Sequence, residues 1–300
     1  MSGSANDSGQ NALSAEVRAG GLAGEVDPAY ALARSRDEYE RLSRQAAFLN
    51  GTTERLFRAA GLEPGMRVLD VGSGAGDVAF LAAEIVGAAG EVVGVDVDGA
   101  ALAVARGRAQ SLGLHNVTFI EGDARSGELG GDFDAAVGRL VLMYWADPAE
   151  ALRRIAGRVR PGGVVVFQEF DLDPVVRSWS FPEETLWNET GRLVIETFAR
   201  AGMQMRMGRQ LYGAFLAAGL STPEMRDEAV VGAGPGFEGY AWLAGVARGL
   251  APLMAKFAIA EVDRLGPETL TDRIRDDAIA ASAVVWTPSL VGAYTRTPER

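Results

Sequence analysis

The sequence predicts an α/β fold, a doubly wound and mostly parallel sheet of seven strands with helical lid insertions. Between residues 66 and 170, short apolar segments bounded by glycine, proline and acidic residues alternate with helical patterns. Strands this short and uniformly apolar are typical of a parallel sheet covered by helices on both faces. After residue 170 the alternation gives way to long helical patterns, which predict the insertions.

The individual elements follow from apolar spacing and from capping residues. Strands are expected at 68–71, 91–96, 117–120, 133–137, 164–167, 224–231 and 289–294. Helices are expected at 28–60 with a break at Gly51, at 78–86, after the N-caps Asp98 and Asp147, and at 237–265 and 267–284. The segment 160–163 reads as a turn, because it combines proline with two glycines.

Composition narrows the function before any motif is considered. The 300 residues carry 29 basic and 40 acidic side chains, a net charge of −11, which disfavours nucleic acids and anionic membranes as partners. The absence of cysteine excludes disulfides and thiolate metal sites, and a single histidine makes a histidine-based triad improbable. We therefore expect a cytoplasmic protein that binds neither nucleic acid nor membrane. A hydrophobic small molecule is its expected partner, for reasons given below, and the chain is expected to be a monomer or homodimer.

A glycine-rich turn follows the first strand, in the segment Asp70-Val71-Gly72-Ser73-Gly74-Ala75-Gly76-Asp77. Glycines let the chain turn sharply from strand to helix and let a ligand lie against the backbone. The spacing G-x-G-x-G departs from the dinucleotide pattern G-x-G-x-x-G, and the only lysine, Lys256, lies too far away for a phosphate-binding P-loop. The carboxylate of Asp70 before the glycines favours a cationic ligand over a pyrophosphate.

Acidic residues also end the next two predicted strands. Asp96 follows the second strand, where an acid reaches ribose hydroxyls, and Asp123 follows the third, where its carboxylate is placed to accept a hydrogen bond from an adenine amino group. Because the carboxyl ends of parallel strands meet at one edge of the sheet, these acids are expected to share a ligand site.

This succession of motifs resembles the class I S-adenosylmethionine-dependent methyltransferases over about residues 60–170. The block from Phe133-Asp134 through Asp147-Pro148 to Arg160-Pro161-Gly162-Gly163 is similar to the quinone-biosynthesis C-methyltransferases. The resemblance implies a Rossmann-like fold with S-adenosyl-L-methionine as cofactor. It implies cofactor contacts from Asp70, Gly72, Ser73, Gly74, Gly76, Asp96, Val97, Asp123, Ala124 and Arg139.

With this resemblance the chain divides into five parts. These are a disordered tail at 1–26, an N-terminal helical lid segment at 27–62, the cofactor-binding core at 63–170, a helical lid insertion at 171–223, and the remainder of the sheet with inserted helices at 224–300.

Candidate chemistry lies after the fifth strand, in Glu169-Phe170-Asp171-Leu172-Asp173. Glu169, at a strand end over the cofactor, is expected to be a general base or a substrate anchor, with a purely structural hydrogen-bond acceptor as the alternative. Asp171 and Asp173 are candidates for a divalent cation, although such a string more often caps a turn, and no metal is expected.

A substrate pocket is expected from aromatic and methionine side chains outside the sheet, which would form an adaptable apolar lid. The residues assigned to this pocket are Tyr30, Tyr39, Tyr144, Trp179, Met203, Met207 and Arg206.

The expected reaction moves a methyl group from S-adenosylmethionine to oxygen, nitrogen or carbon of an apolar small molecule, in secondary metabolism or quinone-type biosynthesis. One alternative is a protein of the same fold that binds this cofactor but steers a non-methylating rearrangement or cyclisation. A nicotinamide-dependent oxidoreductase is the other, disfavoured by the glycine spacing and by Asp70.

Overall fold

The computed structural model describes residues 36–126, 129–172, 178–259, 266 and 268–299. Its helices are α1 Arg36–Ala60, α2 Asp77–Val86, α3 Gly99–Ser111, α4 Pro148–Ala156, α5 Leu186–Arg200, α6 Met207–Ala217, α7 Gly239–Lys256 and α8 Leu270–Ala280. Its strands are β1 Arg67–Val71, β2 Glu91–Asp96, β3 Val117–Glu121, β4 Phe133–Arg139, β5 Val159–Asp171, β6 Ser180–Phe181, β7 Glu224–Glu228, β8 Val231–Gly232, β9 Val284–Trp286 and β10 Ser289–Arg296.

The central sheet has seven strands in the order β3-β2-β1-β4-β5-β10-β7. Strands β3, β2, β1, β4 and β5 run parallel, and β10 runs antiparallel to both β5 and β7. The predicted sheet of seven mostly parallel strands is therefore confirmed. Because the direction of winding reverses between β1 and β4, their carboxyl ends border the crevice in which folds of this kind bind ligands.

Capping residues place the helices that flank this crevice. The Asp98 carboxylate accepts hydrogen bonds from the first amides of α3, and the Asp147 carboxylate accepts one from the Glu150 amide in α4. Both helix starts were predicted from these acids, and both predictions are confirmed.

Two local predictions are wrong. Helix α1 continues through Gly51, where a side chain would meet only the end of Arg55, so the glycine interrupts nothing. The segment 160–163 belongs to β5, which begins at Val159. The reason is pairing with the residue that follows β10. The amide of Thr297 donates a hydrogen bond to the Gly163 carbonyl, and its hydroxyl donates one to the Arg160 carbonyl.

A second sheet, in the order β6-β9-β8, has no counterpart in the sequence prediction. Its strands are two or three residues long, too short for an alternating pattern to be recognised. The amide of Trp286 donates to the carbonyl of Trp179, which joins this sheet to the segment before α5.

Helices α5, α7 and α8 pack against one another. Residues of α5 and α7 lie beside the carboxyl ends of β4 and β5. Their apolar side chains, among them Trp187 of α5 and Trp242 of α7, belong to one large core that also contains Phe170 of β5. Within the described part of the chain, none of the helices is long and apolar enough to cross a bilayer.

Candidate functional site

The turn after β1 is shaped by three glycines with left-handed backbone, Gly72, Gly74 and Gly76, at φ of 69°, 51° and 93°. A Cβ on Gly72 would lie 2.6 Å from Val141 Cγ2, and one on Gly76 would lie 2.7 Å from the Phe80 ring. At Gly74 nothing lies within 4 Å of that position, so the backbone there faces open space. The turn thus exposes bare backbone toward the crevice.

Asp96, at the end of β2, fixes this turn from the neighbouring strand. Its Oδ2 accepts a hydrogen bond from the Gly74 amide at 2.8 Å, and its Oδ1 accepts one from the Asp98 amide at 2.9 Å. Each carboxylate oxygen retains a further lone pair for a ligand donor.

A polar cleft of about 470 Å³ opens beside this turn. Its lining is Gly72, Gly74, Val95, Asp96, Val97, Asp98, Ala101, Gly122, Asp123, Ala124, Arg125, Leu140, Val141, Tyr144, Trp145 and Ala146. Six of the ten residues expected to contact a cofactor therefore meet here: Gly72, Gly74, Asp96, Val97, Asp123 and Ala124.

Asp123 lines this cleft, and its carboxylate is paired with Arg125. The Arg125 guanidinium donates to both of its carboxylate oxygens and lies 5.1 Å from the centre of the Trp145 ring. The hydrogen bonds from Arg125 lower the pKa of Asp123. A ligand amino group would therefore meet a charged carboxylate that shares its lone pairs with Arg125.

Asp70 lies beneath the glycine turn and is 1% exposed. Neither of its carboxylate oxygens has a hydrogen-bond partner within the described structure. Burial raises the pKa of Asp70 to about 8, against the opposing effect of the Arg139 charge. Buried polar atoms are normally satisfied, so these two oxygens mark a place for a ligand donor.

Arg139 ends β4, next to the end of β1. Its Nη1 donates to Asn50 Oδ1 at 3.1 Å and to Thr53 Oγ1 at 2.9 Å, both on α1. The Thr53 hydroxyl in turn donates to Gln168 Oε1 at 2.8 Å. The guanidinium is thus held between the sheet and the N-terminal helix, and its burial lowers the pKa of Arg139.

Asp77, the first residue of α2, is the other acid near Arg139. It pairs with Arg108 at 2.9 Å, and Arg108 also donates to the Ala75 carbonyl. Burial raises the pKa of Asp77, and the charge of Arg108 opposes the rise. Asp70 is buried and Asp77 and Arg139 are half-buried, and the three form one group of two acids and one cation, suited to a ligand that carries both an ammonium and a carboxylate.

An apolar cavity of about 270 Å³ adjoins this group. Asp77, Arg139 and Tyr144 are the ionisable residues of its lining, and four of the chain's five tryptophans surround it. The lining is Leu49, Asp77, Arg139, Leu140, Met143, Tyr144, Phe170, Leu172, Trp179, Trp187, Gly191, Val194, Ile195, Phe198, Trp242, Leu243, Gly245, Val246, Gly249, Leu250, Trp286 and Pro288.

Leu140 and Tyr144 line both the polar cleft and the apolar cavity. The two spaces are therefore neighbours, divided by the segment that follows β4. A ligand in the cleft and a second one in the cavity would approach each other at this segment.

Glu169 is fully buried at the end of β5. Its Oε1 accepts hydrogen bonds from the amides of Val141 at 2.9 Å and Leu142 at 2.7 Å, whereas its Oε2 meets no partner among the residues described. Burial raises the pKa of Glu169 to about 7, and the amide hydrogen bonds oppose that rise. Glu169 is in the described lining of neither the polar cleft nor the apolar cavity. Its role as a base stays a prediction.

The expected substrate residues fare differently. Tyr144 and Trp179 line the apolar cavity, whereas Met203 and Met207 pack into the core and Arg206 is exposed. The described lining of the cavity includes none of the last three, and their place in the substrate pocket stays a prediction. Met203 lies in the segment between α5 and α6, and Met207 is the first residue of α6. Tyr30 and the side chain of Tyr39 lie outside the described residues.

The candidate cation ligands are also accounted for. Asp171 forms an ion pair with Arg209, and Asp173 lies outside the described residues. In the part of the chain that the structure describes, histidine, cysteine and acidic side chains form no group of three able to hold a metal ion.

Sequence reasoning missed Leu140, Phe170 and Trp286 as cavity residues. The apolar run from Leu140 to Tyr144 after β4 was the available signal, because residues at the carboxyl end of a strand border the crevice. Trp286 offered no such signal, since it reaches the cavity through the short second sheet.

Comparison with known proteins identifies the chain's relatives. Residues 62–209 match the profile of a family described as a methyltransferase domain. The aklanonic acid methyltransferase DauC of Streptomyces sp. (strain C5) is 33% identical over 150 residues, which cover 50% of this chain and 66% of that protein. The ubiquinone/menaquinone biosynthesis C-methyltransferase UbiE of Vibrio campbellii is 30% identical over 156 residues, which cover 49% and 60%. The chain thus spans less than two thirds of the length of these curated relatives.

A solved structure extends the likeness to most of the chain. The YcgJ protein from Bacillus subtilis shares the fold with a TM-score of 0.51, covering 84% of this chain and 98% of its own. Its identity of 18% makes this a likeness of fold alone.

Proposed function

We propose that this chain, whose residues 62–209 match the model of a methyltransferase domain family, transfers a methyl group from S-adenosyl-L-methionine to oxygen, nitrogen or carbon of an apolar small molecule. The observation that carries the proposal is the adjacency of the polar cleft and the apolar cavity, which share Leu140 and Tyr144. A transferase of this kind must hold a polar donor and an apolar acceptor side by side.

The residues present fit the amino-acid part of this cofactor. The two buried Asp70 oxygens lack a hydrogen-bond partner in the described structure and suit its ammonium group. The Arg139 guanidinium, which is half-buried, suits its carboxylate, because an arginine away from bulk water favours a hydrogen-bonded anion. The open backbone at Gly74 leaves room beside them, since no atom lies within 4 Å of a Cβ built there.

The residues of the polar cleft fit the adenosyl part. The Asp96 carboxylate has lone pairs to accept hydrogen bonds from ribose hydroxyls. Val97, which is 58% exposed, and Ala124 offer apolar surface for a base. Asp123 faces the same cleft and remains our candidate for the adenine amino group, in competition with Arg125.

When bound, the cofactor supplies an activated methyl group on a sulfonium and its own leaving group. The task of the chain is then to position the acceptor and to exclude water. Tryptophan and aliphatic side chains surround the apolar cavity, so they desolvate an acceptor and hold it by apolar contact. Tyr144 and Asp77 are the lining groups able to take part in moving a proton from the acceptor.

The acceptor that this cavity favours is largely neutral, with any polar group directed toward Asp77, Arg139 and Tyr144. Aromatic walls suit flat or prenylated molecules, because ring faces stack and edges pack against aliphatic chains. Quinol and aromatic polyketide acceptors are therefore the first to test, a choice that the names of the relatives also support.

The test is formation of S-adenosylhomocysteine from S-adenosylmethionine in the presence of naphthoquinols, aromatic polyketides and prenylated phenols. We expect acceptor-dependent turnover by the wild-type chain and its loss in Asp70→Asn. Calorimetric binding of S-adenosylhomocysteine without binding of NAD(P) serves as the control for cofactor choice. If the cofactor binds and acceptors are converted without its consumption, the chain is instead a non-methylating catalyst of the same fold.

A further inference from the structure

The segment 140–145 is the wall between the polar cleft and the apolar cavity, and we call it the dividing wall. Leu140 and Tyr144 line both spaces, Val141 and Trp145 line the polar cleft, and Met143 lines the apolar cavity. Any shift of this backbone would therefore change both binding spaces at once.

The start of the dividing wall has a backbone that needs outside support. Leu140 has φ of 57°, in the left-handed region that a leucine rarely adopts. The 3₁₀ turn at Leu142–Tyr144 follows directly, and the first amides of such a turn lack partners within it. These amides need hydrogen-bond acceptors outside the turn.

Two consecutive residues of β5 supply them. The Gln168 carbonyl accepts from the Leu140 amide at 2.9 Å, and Glu169 Oε1 accepts from the amides of Val141 and Leu142. Three successive N–H groups of the dividing wall are thus satisfied by β5, two of them by one side-chain oxygen.

The same geometry argues against proton transfer by Glu169. Its side chain is fully buried, and it lies outside the linings of both spaces as the described residues form them. A general base must come within hydrogen-bond reach of the proton that it removes. Glu169 reaches the backbone of the dividing wall instead.

We propose that Glu169 is a positioning residue whose Oε1 fixes the dividing wall and thereby sets the geometry of both binding spaces. The inference rests on the proposed function, since it assigns the cofactor to one side of the wall and the acceptor to the other. It replaces the role of general base that the sequence suggested for this residue.

The test compares Glu169→Gln with Glu169→Leu. Glutamine keeps a side-chain oxygen that can accept from both amides, whereas leucine fills a similar volume without an acceptor. We expect Glu169→Gln to stay within about threefold of wild type in affinity for S-adenosylhomocysteine and in kcat. We expect Glu169→Leu to lose at least about tenfold in that affinity and to raise the acceptor KM, because two buried amides are left unsatisfied.

Amide hydrogen exchange gives a readout that needs neither turnover nor cofactor. In Glu169→Leu, Val141 and Leu142 should exchange at least about tenfold faster than in wild type, while the amides of β1 and β4 keep their protection. Glu169→Gln should restore slow exchange at both positions. This arm remains informative if the wild-type chain fails to bind S-adenosylhomocysteine, so failure of the proposed function is distinguishable from failure of this inference.

Either of two results would overturn the inference. One is a loss of kcat in Glu169→Gln of about a hundredfold or more with cofactor affinity unchanged, as expected of a missing base. The other is unchanged exchange at Val141 and Leu142 in Glu169→Leu. If the leucine variant does not fold, Glu169→Ala with the same exchange measurement takes its place.

Discussion

The side chain of Val141 occupies the space that a Cβ on Gly72 would need, with Cγ2 2.6 Å from that position. The glycine turn after β1 and the dividing wall after β4 are therefore packed against each other without room for one more carbon atom. This contact joins two of the segments that border the polar cleft.

Gly72→Ala should destabilise the fold more than Gly74→Ala does. Both glycines have positive φ, so both variants carry backbone strain, but only the first would collide with Val141. Overpacking of this kind costs about 1–3 kcal/mol, which should appear as the difference between the two variants in denaturant unfolding. Adding Val141→Ala to Gly72→Ala should recover part of that difference. Equal free energies of unfolding for the two glycine variants would show that the contact carries no cost.

Binding of the cofactor should release a proton from Asp70. Its pKa of about 8 means that the free protein holds this carboxyl mostly protonated at pH 7. A bound ammonium favours the charged form, so binding lowers the pKa and expels the proton. Affinity should accordingly rise as the pH approaches 8 from below.

Calorimetry of S-adenosylhomocysteine binding at pH 7, in buffers of different ionisation enthalpy, counts that proton. We expect release approaching one proton for the wild type and none for Asp70→Asn. Equal proton release by the two proteins would assign the proton to another group.

Asp96→Ala should weaken cofactor binding by about 1–3 kcal/mol, because a charged hydrogen-bond acceptor is lost. Part of this loss comes from the Gly74 amide, which Asp96 also holds. Asp134→Ala is the matched control, since Asp134 accepts from the Arg67 amide at the opposite edge of the sheet and should affect stability without affecting the cofactor. Equal affinities of the Asp96 variant and wild type for S-adenosylhomocysteine would remove Asp96 from the site.

Val246→Phe should weaken binding of the acceptor without weakening binding of the cofactor. Val246 lines the apolar cavity and is absent from the described lining of the polar cleft. The larger ring narrows the cavity, so the acceptor KM should rise at least about tenfold while S-adenosylhomocysteine affinity stays within about twofold. A variant that keeps the wild-type acceptor KM would place the acceptor elsewhere.

The sheet was predictable because most of its parallel strands are short apolar runs followed by glycine or an acid, as in Val68 to Val71 before Gly72. The cleft residues followed from the same pattern, since Asp96 and Asp123 stand at strand ends. Which side chains of the helices and their connecting segments are buried was not predictable from the sequence pattern. Met203 and Met207 alternate with polar residues, yet tertiary packing places both in the core.

The role of Glu169 depends on features that leave little trace in a sequence. Leu140 has a left-handed backbone, and the amides that follow β4 donate to acceptors on β5. Both features arise from the path of the chain after β4. A carboxylate at a strand end reads as a catalytic group until the partners of its oxygens are known. The break predicted at Gly51 is a similar case, because a glycine suggests an interruption in the sequence but α1 continues through it.

A crystal structure with S-adenosylhomocysteine tests the account most directly. We expect its amino acid between Asp70 and Arg139, its ribose on Asp96, and its sulfur directed past Leu140 and Tyr144 into the apolar cavity. A ligand bound away from the turn at Gly72–Gly76, or a sulfur that faces away from the cavity, would contradict the assignment of donor and acceptor to these two spaces.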